Sequence, residues 1–94
     1  MSFQEMKHSN RVFIYLDVES GEERKILVQL MNHDEVLEGH LITGQFDILA
    51  VLEVERAILE TPQEKVLQIV EKIRKLRGVK DTNTVMPAFS VTKR

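Results

Sequence analysis

Two apolar runs, Val36 to Thr43 and Phe46 to Val54, stand on either side of Gly44-Gln45. A two-residue loop that begins with glycine suits a type II′ hairpin turn, because glycine takes positive φ there without strain. Such a turn sets the register: Thr43 opposite Phe46, Ile42 opposite Asp47, Leu41 opposite Ile48, His40 opposite Leu49. Side chains alternate along a strand, so one face of the hairpin carries Leu37, Leu41, Phe46, Ile48, Ala50 and Leu52, with Gly39 among them. The other face carries Glu38, His40, Ile42, Asp47, Leu49 and Val51.

The rest of the chain falls into place around this hairpin. Arg11 to Val18 alternates Val12, Ile14, Leu16 and Val18 with Phe13, Tyr15 and Asp17, the period of a strand. Residues 1–10 are polar and aperiodic and read as a flexible N-terminal arm. Ser20, with Glu23 three positions on, reads as a capping box opening a helix whose stripe is Ile26, Leu27, Leu30 and Met31. Residues 55–60 fit no single element, a linker or an irregular turn. Thr61-Pro62-Gln63-Glu64 then offers an N-cap threonine, proline at the first helical position and a capping-box glutamate. Val66, Ile69, Val70, Ile73 and Leu76 share one helical face, and Gly78 ends that helix. A last strand is expected from Val79 to about Thr92, placed at a sheet edge by Pro87, which has no N–H to give a neighbour. The order β-α-β-β-α-β defines an α+β, ferredoxin-like split βαβ plan: a four-stranded antiparallel sheet with two helices on one face.

Composition narrows the function. The chain has 94 residues, room for one domain, and a net charge of −2, which argues against a surface shaped throughout for nucleic acid. Having no cysteine, it excludes disulfides, thiolate zinc sites and cysteine catalysis. His8, His33 and His40 lack ligand-like spacing, so no metal and no cofactor is expected. No nucleophile–base pair is evident, and the chain does not read as an enzyme. There is no apolar run of membrane-spanning length and no signal peptide, which makes a cytoplasmic protein the expectation.

With helices on one side, the sheet's second face should be polar. Instead it offers Phe13, Tyr15, Ile42, Leu49 and Val51, drawn from three strands. An apolar surface of that extent calls for a cover, and a second copy of the sheet would make a dimeric αβ-sandwich. The rival is an RNA-binding module of the RRM kind on the same frame. Val12-Phe13-Ile14-Tyr15-Leu16 resembles its RNP2 strand, but Phe46-Asp47-Ile48-Leu49-Ala50-Val51 lacks the basic and aromatic residues of RNP1.

The run His40-Leu41-Ile42-Thr43-Gly44-Gln45-Phe46-Asp47-Ile48-Leu49-Ala50-Val51 resembles the central signature of the Lrp/AsnC effector domain, the RAM domain. So does Ile73-Arg74-Lys75-Leu76-Arg77-Gly78-Val79-Lys80-Asp81-Thr82-Asn83-Thr84, which resembles that domain's helix end and its Gly-Val and Thr-x-Thr opening of the last strand. The resemblance covers roughly residues 11–92, so that 11–94 reads as one RAM-type ligand-binding domain. The resemblance is to stand-alone RAM proteins, without the helix-turn-helix that precedes this module in full-length regulators, so direct DNA binding is not implied. Residues 53–62 are longer than is usual there, and Pro87 replaces an aliphatic residue.

That resemblance implies a homodimer that assembles further into octamers or similar rings. It also implies an amino acid or similar effector held between dimers and, as a possible partner, a full-length Lrp/AsnC regulator. Gly44 is the turn glycine and, by resemblance, lets the backbone approach the effector. Asp47 beside it could receive an effector ammonium group, or simply be a solvated charge on a strand. Thr82 and Thr84 share a strand face and could take an effector carboxylate, or reflect β-propensity alone. Phe46 reads as helix-side core. His40, near the interface, offers a pH-sensitive element. The cations Lys72, Arg74, Lys75, Arg77 and Lys80 complement a helix C-terminus or form an acidic-partner or RNA patch.

Overall fold

The computed structural model describes residues 4–5, 10–54, 62–87 and 91–93. Its elements are β1 (Gln4–Glu5), β2 (Asn10–Val18), α1 (Glu23–Leu30), β3 (Val36–Leu41), β4 (Ile48–Val54), α2 (Pro62–Arg74), β5 (Val79–Val85) and β6 (Val91–Thr92). Four strands make one antiparallel sheet in the order β3-β4-β2-β5, so β2 and β4 are central and β5 is an edge. This is the α+β, ferredoxin-like plan. Gln4–Glu5, inside the expected arm, pairs with Val91–Thr92 as a separate two-stranded ribbon. Most of the remaining arm, the 55–60 connection and Thr61 lie outside the described residues.

The core forms where one face of β2 and β4 meets both helices. Val12, Ile14, Leu16 and Val18 of β2 and Ile48, Ala50, Leu52 and Val54 of β4 bury against Ile26 and Leu30 of α1 and Val66, Ile69, Val70 and Ile73 of α2. Period two in the strands and about 3.6 in the helices bring these residues to one plane, which is why the pattern could be read in advance. The hairpin register is the expected one from Leu41 opposite Ile48 to Glu38 opposite Val51, but it shifts between Val36 and Glu38, so that Val36 and not Leu37 takes the buried place opposite Leu52. Gly44 takes φ +129 at its tip. Gly39 lets α1 lie close on the edge strand, since a Cβ built there would stand 2.6 Å from Leu27 Cδ1.

Three expectations need correction. Ser20 is not the N-cap of α1. The backbone turns first, with Glu22 N–H donating to the Glu19 carbonyl at 3.0 Å and Gly21 at φ +89, so the helix begins only after Glu22. Glu23 instead accepts the Gly21 N–H, at 3.0 and 3.2 Å. The last strand does not run to Thr92: β5 stops at Val85, just before Met86-Pro87, because proline cannot continue the ladder. Phe46 is not helix-side core. Regular pairing ends at Ile48, and Phe46 swings onto the opposite face, its ring 5.6 Å from that of Tyr15.

Candidate functional site

The face of the sheet turned away from the two helices is apolar at its centre. Tyr15 pairs with Leu49 and Phe13 with Val51 across β2 and β4, and these four side chains point away from the helices. The β2–β5 register adds Val85 opposite Phe13. Val85 was not singled out from sequence, although the same alternation would have placed it. Val51 is buried, Phe13, Tyr15 and Leu49 are half-buried and Val85 is exposed. Around them the face turns acidic, with Glu53 opposite Arg11, Asp17 opposite Asp81, and Glu38 hydrogen-bonded to His40 at 2.9 Å. An RNA-binding sheet needs the reverse sign. Ile42, one residue past β3, is half-buried, keeps a ladder bond from its N–H to the Asp47 carbonyl, and lines the cleft beside the start of α1.

The four expected effector residues divide between two clefts. Asp47 lines the first, of about 440 Å³, between the hairpin tip and the start of α1, with Leu41, Ile42, Gly21, Glu23 and Arg24. Gly44 sits at the exposed hairpin tip. The Asp47 carboxylate turns inward, and its Oδ2 accepts the Val18 N–H at 3.0 Å. Its own N–H donates to the Leu16 carbonyl at 2.9 Å, and its carbonyl accepts the Ile42 N–H at 2.9 Å. Asp47 thus ties the ends of three strands together. The Val18 N–H, then a hydrogen bond with the Asp17 carboxyl, hold its pKa below the ordinary value, and Lys80 adds to this against some desolvation. The Asp17–Asp47 contact was missed in the sequence. Its signal was the register, since both follow directly from the Leu16–Ile48 pair.

Thr82 and Thr84 lie at the opposite edge of the sheet. They pair with Leu16 and Ile14, so they face the helices. There they line a groove of about 510 Å³ between α2 and β5, together with Glu71 and Arg74. Arg74 Nε–H donates to Thr82 Oγ1 at 3.1 Å. Arg74 therefore belongs to a cleft rather than only to a solvated helix end. Among the described residues no group of His, Asp and Glu gathers as metal ligands would, and no helix is long and apolar enough to cross a membrane.

Solved structures share this fold, transcriptional regulators among them. FFRP-DM1 superposes with a TM-score of 0.69 at 27% identity, over 82% of this chain and 96% of that one. Escherichia coli AsnC gives 0.67 at 23%, over 83% of this chain and 50% of AsnC. A transcriptional regulator of Neisseria meningitidis, solved as a complex with L-Met, gives 0.64 at 16%, over 82% and 48%. The chain spans nearly all of the first and about half of the other two. No family model matches the sequence, and no curated protein matches it either. The fold is that of a RAM-like domain of the Lrp/AsnC regulators, in agreement with the two sequence stretches that resemble it.

Proposed function

We propose that this chain is an amino-acid-responsive assembly module that serves gene regulation. Two copies pack through the sheet faces turned away from their helices, and an amino acid or similar small effector shifts the equilibrium between such dimers and larger closed rings. The observation that carries this reading is the apolar centre of the sheet face turned away from the helices, Phe13, Tyr15, Leu49 and Val51, on a fold whose solved neighbours include transcriptional regulators. A sheet face of this composition is poorly suited to water and well suited to a second sheet. One of those neighbours was solved with L-Met, which supports an amino acid as the class of effector. The coupling is linkage: an effector that binds one assembly better than another draws the population toward it. Mixed assembly with a full-length regulator would carry the signal to DNA.

The test is light-scattering mass measured with each of the common amino acids in turn. The reading expects at least one to change the mass distribution at fixed protein concentration. A mass that responds to no amino acid contradicts it.

A further inference from the structure

We propose that an apolar α-amino acid binds in the groove between α2 and β5, its carboxylate on the Arg74 guanidinium and its ammonium on the Glu71 carboxylate. This rests on the amino-acid reading above and gives the effector a place. Arg74 Nε–H is already committed to Thr82 Oγ1, at 3.1 Å. That bond fixes the guanidinium against β5 and leaves its two terminal amino groups, the pair that grips a carboxylate in bidentate fashion. Glu71 lies three residues earlier on the same helical face and lines the same groove. Among the described residues the two charges do not form an ion pair with each other, so a zwitterion meets both signs already placed.

Besides the polar Gln63, Asn83 and Thr84, the groove presents an apolar strip of Val66, Leu67, Val70 and Met86. Leu67 is 63% exposed and Met86 38% exposed, an arrangement that leaves large hydrophobic side chains in water at the groove. The side chain of a leucine- or methionine-sized ligand covers them. The groove volume of about 510 Å³ falls within the range of small-molecule sites, about 300–1,000 Å³.

The hairpin cleft is the weaker candidate for the same ligand. Its two carboxylates are engaged by backbone, Glu23 with the Gly21 N–H and Asp47 with the Val18 N–H. An incoming ammonium group there would compete with hydrogen bonds that hold the turn and the strand ends.

Calorimetric titration of the full chain decides the matter, with L-leucine, L-methionine and 4-methyl-2-oxopentanoate, the last being leucine with a ketone in place of its ammonium group. Arg74→Met should weaken all three by about tenfold or more, the loss of a charge-assisted pair. Glu71→Gln should weaken the two amino acids by a similar factor and leave the oxo acid unchanged. Both side chains are exposed, and circular dichroism should report an unchanged fold. Full affinity in both variants, with binding lost in Asp47→Asn, would move the ligand to the hairpin cleft and overturn this site while the amino-acid reading stands. Equal weakening of the oxo acid by Glu71→Gln would also overturn the assignment. Absence of binding by the wild-type chain to any amino acid would remove both.

Discussion

Replacing Gly39 with alanine should destabilise the protein, although the backbone there has no need of glycine. An added Cβ would lie 2.6 Å from Leu27 Cδ1 and 3.5 Å from Met31 Sδ, inside the contact of α1 with β3. Taken alone, a glycine-to-alanine change at a compatible backbone position stabilises by about 0.4–1 kcal/mol through the unfolded state. Overpacking a fitted contact costs about 1–3 kcal/mol. The contact wins, but only partly, because Leu27 is half-buried and the tip of its side chain can yield. Gly39→Ala should therefore cost about 0.5–2 kcal/mol, the difference between those two terms. In a Leu27→Ala background the obstructing atom is gone, and the same change should become neutral or stabilising. Urea unfolding of the wild type, both single variants and the double variant, at one protein concentration, gives the coupling directly. A coupling of about 1–3 kcal/mol is expected, within the span measured for residues in contact. If the two changes are additive, or if Gly39→Ala stabilises the parent, the close approach of α1 to β3 is not what requires glycine.

Gly78→Ala should cost about 1–3 kcal/mol, read from the urea midpoint, because φ there is +100 and a Cβ would crowd Ile26 Cδ1 at 3.1 Å. Asp47 has a pKa lowered in the folded state, so it contributes stability above its ordinary value of 3.8 and loses it as pH falls through the lower folded value. Asp47→Asn keeps an acceptor for Val18 but removes the charge. Its melting temperature should fall below the wild type at neutral pH, and the gap should close in acid; a gap independent of pH would refute the linkage.

Much of this architecture was legible because burial imposes simple periods. Val12, Ile14, Leu16 and Val18 could be assigned to the core by alternation alone, and the stripe from Val66 to Ile73 by helical spacing. The hairpin register from Leu41–Ile48 to Glu38–Val51 followed from Gly44-Gln45 for the same local reason, whereas the shift between Val36 and Glu38 had no such signal. What sequence could not show were the places where tertiary geometry interrupts the period. The 19–22 turn displaced the cap expected at Ser20, and loss of pairing beyond Ile48 moved Phe46 to the far face beside Tyr15. The candidate site suffered most from this. Asp47 stands just before β4 and Thr82 at the middle of β5, but only the sheet order β3-β4-β2-β5 reveals that they serve separate clefts at opposite edges. Arg74 was read as one cation in a helix-end cluster, because its bond to Thr82 joins α2 to a strand that follows it.

The central claim is that the sheet face turned away from the helices joins two copies, and one comparison of masses tests it most directly. Light scattering without ligand should give the wild-type chain a mass of at least twice its 10.9 kDa, and Leu49→Arg, at the centre of the apolar face, should reduce it to a monomer that remains folded by circular dichroism. A wild type that stays at 10.9 kDa across a range of protein concentrations would contradict the account, as would an assembly indifferent to a charge at Leu49.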